Sequence, residues 1–280
     1  HGGLGKSDMK LWMIYDREGM ERNASYIQMY QERCRTYKVG VELVLEETLP
    51  WRLRNGEMPV CALVRTIHPE INQMLEQAGI PVFNSYRVSY VCNHKGRTLE
   101  YFKDRVLSVP SLTFSGKELP LILSKKPQEL IQLFENQFIY SSSFEQEERE
   151  LICPASDFVL KAVDGHGGTQ VFSIGEDKRK VLDGISGHEF VLQPMIGNGS
   201  LTEGRLSRDV RVYVVGNKIF AAVMRSSSGD FRANFSLGGE VCRYDLSSQE
   251  VRIVESVLNG MEFGMAGIDF IVDDRGGLIL

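Results

Sequence analysis

Three places in the chain carry residue types able to bind charged groups, phosphate or its counter-cation among them. The first is FVLKAVDGHGGTQVF (158 to 172), where Lys161 sits in an apolar strand and a glycine-rich turn follows. Gly165, Gly167 and Gly168 let successive backbone N–H groups approach an anion, and a lysine on the adjoining strand adds a point charge. An ordinary glycine hairpin with a solvated lysine is the competing reading of this segment alone. No G-K-[ST] follows, so this is not a Walker loop. His166, within the turn, reads as a backbone-exposed loop residue rather than a base.

The second place is RDVRVYVVGNKIFAAVMRSSSGDFRANFSLGG (208 to 239), which gathers Arg208, Arg211, Arg225 and Arg232 around two strands and a loop. Surface arginines are usually solvated strand-edge charges. Here Arg232 and Asn234 alternate with Phe231, Ala233 and Phe235, so one strand face presents a cation and an amide together. Such a face suits phosphate and carboxylate oxygens. The third place is Asp269 inside the apolar string GMAGIDFIV. A buried unpaired charge is costly, so Asp269 requires a cation, a metal or an arginine beside it, or else solvent. Mg²⁺ shared with nucleotide phosphates is one partner, and a structural salt bridge is the other.

The elements that must position these residues fall into two textures. Lys10–Tyr15, Val39–Leu45 and Val60–Val64 are apolar runs of strand length, separated by helical spacings such as Ile27, Tyr30, Cys34 and Tyr37, or Ile71, Leu75 and Ala78. Gly79 stops the second helix before a strand from Ile80 to Phe83. Alternation of this kind predicts a small parallel α/β domain. A new unit begins near residue 89, with a helix through Leu99, Phe102 and Val106 that breaks at Ser108-Val109-Pro110. Residues 127 to 138 form an amphipathic helix, and the acidic stretch Ser141 to Glu150 reads as an exposed connection. Paired strands follow, including DVRVYVV and KIFAAVM joined by Gly216-Asn217, a hairpin signal. A helix from about Gln249 to Glu262 leads into the strand Gly267 to Val272 and a last strand, Leu278 to Leu280.

Composition bounds the alternatives. The 280 residues carry a net charge of -5, with 42% apolar and 25% charged residues. That is ordinary globular composition, and it argues against nucleic acid as the main partner. The five cysteines, Cys34, Cys61, Cys92, Cys153 and Cys242, form no C-x-x-C pair and read as reduced, buried or inert thiols. No apolar run approaches a membrane span and nothing resembles a cleavable signal, so the expected location is cytoplasmic with no membrane partner. Residues 1 to 8 read as a tag remnant ahead of Met9.

In order, K-x-x-x-G-x-G-G, L-Q-P-M-I, R-D-V-R-V-Y-V-V-G, G-D-F-R-A-N, G-G and A-G-I-D-F resemble the RimK-type branch of the ATP-grasp ligases. The resemblance runs from about Asn84 to Leu280 and is strongest after Lys161, with only the V-R-T segment around Arg65 matching earlier. It implies an α/β and α+β architecture. A Rossmann-like pre-ATP-grasp domain (9–88) would precede two α+β subdomains (89–187 and 188–280) that clamp ATP. Lys95 and Lys161 would hold phosphates, and Gln193, Pro194 and Met195 would form the hinge that meets adenine. Relatives usually carry Glu where Pro194 stands, which leaves backbone recognition at that point. Asp209 would contact the nucleoside. Arg225 and Arg232 would be catalytic, with Arg232, Ala233 and Asn234 at the nucleotide. Asp269 would be the first carboxylate for Mg²⁺ or Mn²⁺, and the second is expected just beyond Leu280. The implied reaction is ATP-dependent joining of a carboxylate and an amine through an acyl phosphate. An amino acid and a carboxylate acceptor would be the substrates, and homo-oligomers are compatible with the resemblance. The alternatives are an ATP-grasp ligase of another substrate class, such as a peptide maturase or a glutathione-synthetase-like or lysine-biosynthesis-type enzyme, and a nucleotide-binding module without turnover.

Overall fold

The computed structural model describes residues 9–138, 145–152, 157–165, 170–196, 206–228, 240–273 and 275–280. They fall into two compact units: one runs to Asn93 and includes Phe263–Met265, and the other comprises His94–Glu262 and Ala266–Leu280.

The first unit alternates strand and helix, as its pattern predicted. Strands β1 (Met9–Tyr15), β2 (Val39–Leu45), β3 (Cys61–Val64) and β4 (Val82–Phe83) lie in the order β2-β1-β3-β4. All three pairings are parallel. Helices α1 (Arg17–Arg22), α2 (Ala24–Arg35), α3 (Leu49–Arg54), α4 (Pro69–Gln77) and α5 (Tyr86–Cys92) provide the connections and the end of the unit. Period-two alternation divides β1 between two cores. Trp12 and Ile14 pack with Leu49, Ile71 and Leu75, whereas Met13 and Tyr15 pack with Ile27. Both faces of a parallel sheet are thereby covered, as such sheets require. Gly79 has a φ of +76° and ends α4, as the sequence suggested. Tyr37 departs from its predicted stripe, because α2 stops at Arg35 and the ring is left exposed.

The second unit carries two sheets. Helix α6 (Lys95–Phe102) leads to β5 (Leu112–Phe114), α7 (Leu119–Ser124), α8 (Pro127–Phe138) and α9 (Glu145–Ile152). Strands β6 (Phe158–Ala162) and β7 (Val171–Ser173), helix α10 (Lys178–Ile185) and strand β8 (Phe190–Pro194) complete the first sheet, ordered β5-β8-β6-β7 and antiparallel throughout. Phe158, Leu160, Phe190 and Leu192 point from it into a core shared with Leu119, Ile122, Leu130, Phe134, Val181 and Ile185. The second sheet contains β9 (Leu206–Val215), β10 (Lys218–Ser228), β11 (Glu240–Arg243), β12 (Met265–Val272) and β13 (Leu278–Ile279), in the order β11-β10-β9-β12-β13, with α11 (Ser248–Leu258) between β11 and β12 in sequence. The β9–β10 hairpin turns where predicted: Gly216 and Asn217 both take positive φ, +55° and +60°, matching the twist of the flanking strands.

Three expectations need correction. Helix α6 ends at Phe102, ahead of the predicted break at Pro110, and Val106 reaches the core from the turn that follows. The acidic stretch is not simply a connection, because from Glu145 onward it is helix α9, anchored by the buried Leu151 and Ile152 just past the polar run. Cys92 and Cys242 are exposed rather than buried, and Cys153 lies outside the described residues. No helix among the described residues is long and apolar enough to cross a membrane.

Candidate functional site

Lys161 is the one partly exposed position in an otherwise buried strand, because its neighbours Leu160 and Ala162 face the core and alternation turns Lys161 to the opposite side. It pairs with Val171 on β7 and Val191 on β8. Its pKa is lowered to about 8, chiefly by burial and then by the nearby charge of Lys95, with Asp269 and Asp209 opposing. Among the described residues no carboxylate is bonded to this ammonium group. Lys95 opens α6, where its backbone N–H donates to Val163 O (3.0 Å) and its Nζ donates to Gly165 O. Burial also lowers its pKa. His94 caps that helix, Nδ1 accepting from Arg97 N at 3.2 Å. Two cations thus stand near Gly165 and, among the described residues, neither has a bonded carboxylate, an environment that nucleotide phosphates would neutralise.

Gly165 is tightly placed, since a Cβ there would come within 2.8 Å of Gln170 Oε1. Gly167 and Gly168 lie outside the described residues, as do His166, Arg232, Ala233 and Asn234. Gln193 pairs with Val159, two positions from Lys161, so both side chains leave the same face of the sheet. Gln193 is 5% exposed; its Nε2 donates to Ser111 Oγ at 2.7 Å, and its buried Oε1 has no hydrogen-bond partner. Pro194 closes β8, and the Met195 N–H is already committed to Asp157 O at 3.0 Å.

The second sheet offers a charged face. Asp209, Arg211, Tyr213 and Val215 alternate along β9 with the fully buried Val210, Val212 and Val214. Arg225 is the direct cross-strand partner of Asp209, and its Nε and Nη2 donate to the two Asp209 oxygens at 2.6 and 2.7 Å. Arg211 makes the same fork to Asp269, at 2.7 Å for both bonds, and Arg225 Nη2 reaches Asp269 Oδ1 at 3.1 Å. Burial lifts the pKa of Asp209 although Arg225 opposes it. Burial works against the charge of Arg225, but the bonds to Asp209 and the charge of Asp269 outweigh it and raise its pKa. The bonds to Asp269 do the same for Arg211. The arginine foreseen as one partner of Asp269 is Arg211. Arg211 was not among the predicted site residues. Its i+2 spacing from Asp209 was the available signal, but its partner lies 58 positions away.

The described residues do not assemble a divalent-cation site. None of them form a group of three or more His, Cys, Asp or Glu side chains able to hold a metal. Asp269, the one carboxylate the sequence assigned to metal, has both oxygens taken by arginine. A cavity of about 1170 Å³ lies elsewhere, between the β9–β10 turn and α11, and none of the predicted site residues line it. The lysine and arginine faces, rather than this cavity, therefore define the candidate site.

Solved structures share the fold. The B. anthracis D-alanine–D-alanine ligase structure aligns with a TM-score of 0.63 at 13% identity, covering 97% of this chain and 84% of that one. The ATP-grasp ligase PsnB, complexed with a minimal precursor, Mg and ADP, aligns at 0.60 and 14% identity, covering 99% and 89%. The chain has the ATP-grasp fold. Residues 142–280 match the RimK-like ATP-grasp domain, and a probable alpha-L-glutamate ligase of Legionella pneumophila (strain Corby) is 31% identical over 123 residues, 44% of this chain and 40% of that protein. The chain thus carries a RimK-like ATP-grasp domain over residues 142–280. It spans about two fifths of the length of the curated relatives it matches.

Proposed function

We propose that the protein is an ATP-dependent carbon–nitrogen ligase that activates a carboxylate as an acyl phosphate and joins it to an amine. The observation that carries this reading is the pairing of two under-neutralised lysines, Lys95 and Lys161, with a forked arginine face on the neighbouring sheet of the same unit. Lys95 and Lys161 hold the nucleotide phosphates beside Gly165, Gly167 and Gly168. Gln193, Pro194 and Met195 frame the base, and Asp209 orients Arg225 as well as facing the nucleoside. Arg225 and Arg232 stabilise the negative charge that develops at the transferring group, so catalysis is positioning and charge stabilisation. Ala233 and Asn234 complete the nucleotide contacts.

An amino acid serves as the amine, and glutamate is the first candidate because the Legionella relative is named a glutamate ligase. The acceptor is a small-molecule, peptide or protein carboxylate, and PsnB, solved with a peptide precursor, makes a peptide worth including. Mg²⁺ or Mn²⁺ is proposed to arrive with ATP. The specific observation favouring the second reading, nucleotide binding without turnover, is that both oxygens of Asp269 are held by arginine. ADP release separates the two. With ATP, Mg²⁺ and a panel of amino acids and acceptors, the ligase reading expects ADP formation that depends on both amine and carboxylate. ATP binding with no such dependence across the panel supports the binding module instead.

A further inference from the structure

Asp164 stands directly before Gly165, an awkward place for a carboxylate if phosphates are to bind there. The turn from Ala162 closes as Gly165 N–H donates to Ala162 O at 3.2 Å, and Lys95 Nζ donates to Gly165 O. The charge of Asp164 reaches Lys95, where it opposes the lowering of the pKa by burial. Asp164 has a partner of its own, because His188 Nδ1 lies 3.2 and 3.3 Å from its two oxygens. The backbone on both sides of this pair is fixed. Val163 N–H donates to Glu189 O and His188 N–H donates to Ile185 O, each at 3.0 Å. Gly116 abuts the same segment, where a Cβ would come within 2.7 Å of His188 O.

The His188 and Asp164 side chains are 40% and 53% exposed, so the imidazole can exchange protons with solvent. His94, the other imidazole near Asp164, is unsuited to that role. Burial and then the charge of Arg97 lower its pKa, and its Nδ1 lone pair is committed to the Arg97 N–H. The other charged groups on the elements around the pair are Lys95 and Arg97 on α6, Glu189 beside His188, and Lys117 and Glu118 after Gly116. Their side-chain types do not titrate where imidazole does.

We propose that His188 is a positioning residue of the nucleotide site, acting through Asp164, and that it takes up a proton when nucleotide phosphates bind. Phosphate charge arriving beside Gly165 makes the Asp164 carboxylate more costly, and an imidazolium held against that carboxylate offsets the cost. The bound state then holds more protons than the free state, so affinity rises as pH falls through the imidazole range. The inference rests on the ATP reading of the site.

Calorimetry with a non-hydrolysable ATP analogue at pH 7, repeated in buffers of different ionisation enthalpy, counts the protons taken up. His188→Gln keeps a donor for Asp164 and removes the titration, so it sets a baseline that cancels the contributions of the nucleotide itself and of Lys161. Wild type should take up about half a proton more than this variant, the most that a one-unit shift supplies. Near pH 6 His188→Gln should bind about fivefold to tenfold more weakly than wild type, and near pH 8 about equally. Adding Asp164→Asn should restore the affinity lost near pH 6, because the carboxylate that needed a partner is gone. Equal proton uptake in wild type and His188→Gln, or the same loss of affinity at both pH values, overturns the proposal and leaves the nucleotide reading standing. A wild-type protein that does not bind the analogue removes both.

Discussion

At the scale of the residue, Lys161 is held in a folded state that disfavours its own charge. Its pKa of about 8 lies below the ordinary 10.5, so between those values the unfolded chain binds more protons than the folded one. Wild-type stability should therefore rise with pH across that window, and the full penalty is present below pH 8. Lys161→Met should stabilise the protein at pH 7 by about 1–3 kcal/mol, an advantage that shrinks as pH approaches 10. The same variant should weaken nucleotide affinity by about a hundredfold, the scale of two charge-assisted bonds. In wild type, affinity should decline as pH passes 8 and the amine loses its proton. Denaturation midpoints and fluorescent-nucleotide titrations from pH 7 to 10 check both trends, and unchanged affinity in the variant removes Lys161 from the site. Lys161 was legible in the sequence because a cation in an apolar strand is an energetic anomaly that demands a partner. Asp269 was legible for the same reason. Which partner it would find was not, because β9 and β12 become neighbours only through the sheet order.

At the scale of the element, Gly165 is hemmed in by the strand and helix that follow it in sequence. Gln170 follows the turn, its Nε2 donates to Gly184 O on α10 at 3.1 Å, and its Oε1 is the atom a Cβ at Gly165 would strike. Gly184 in turn makes room for the Phe172 ring of β7, whose Cζ an added Cβ would strike. Gly184→Ala should cost about 1–3 kcal/mol by overpacking. Because Phe172 and Gln170 must move together, nucleotide affinity should also fall severalfold. Gly175→Ala is the control, since its Cβ would meet nothing nearer than 3.6 Å and should alter both thermal midpoint and affinity little. A Gly184→Ala protein with wild-type midpoint and affinity would show that α10 does not support the turn. Most helices and strands could be read from periodicity, down to the Gly216-Asn217 turn. Helix α9 could not, because its apolar anchors, Leu151 and Ile152, lie at the end of a run whose composition reads as solvent-exposed.

At the scale of the whole molecule, the first unit is not continuous in sequence, because the chain leaves it at Asn93 and Phe263–Met265 belong to it again. Asn84 fastens that returning segment. Its Oδ1 accepts from Gly264 N at 2.8 Å and Met265 N at 2.9 Å, and its Nδ2 donates to Met265 O at 2.7 Å. The Asn84 carbonyl itself accepts from Asn72 Nδ2, also at 2.7 Å. Nothing local in the sequence announces a contact across some 180 positions, whereas the β1–β4 units beside it were readable from their own alternation. Asn84→Ala would strip three backbone groups of their partner at once, with an expected cost of about 3 kcal/mol. Asn84→Asp keeps the acceptor for the two N–H groups and loses only the donor, so its cost should be about half as large. Native-state amide exchange gives the reading at the segment itself. The Gly264 and Met265 amides should lose protection in Asn84→Ala and retain most of it in Asn84→Asp, while amides of β9 and β10 are unaffected. Equal protection of Gly264 and Met265 in wild type and Asn84→Ala would mean that burial of Met265 against Met13 and Tyr15, rather than the asparagine, holds the segment in place.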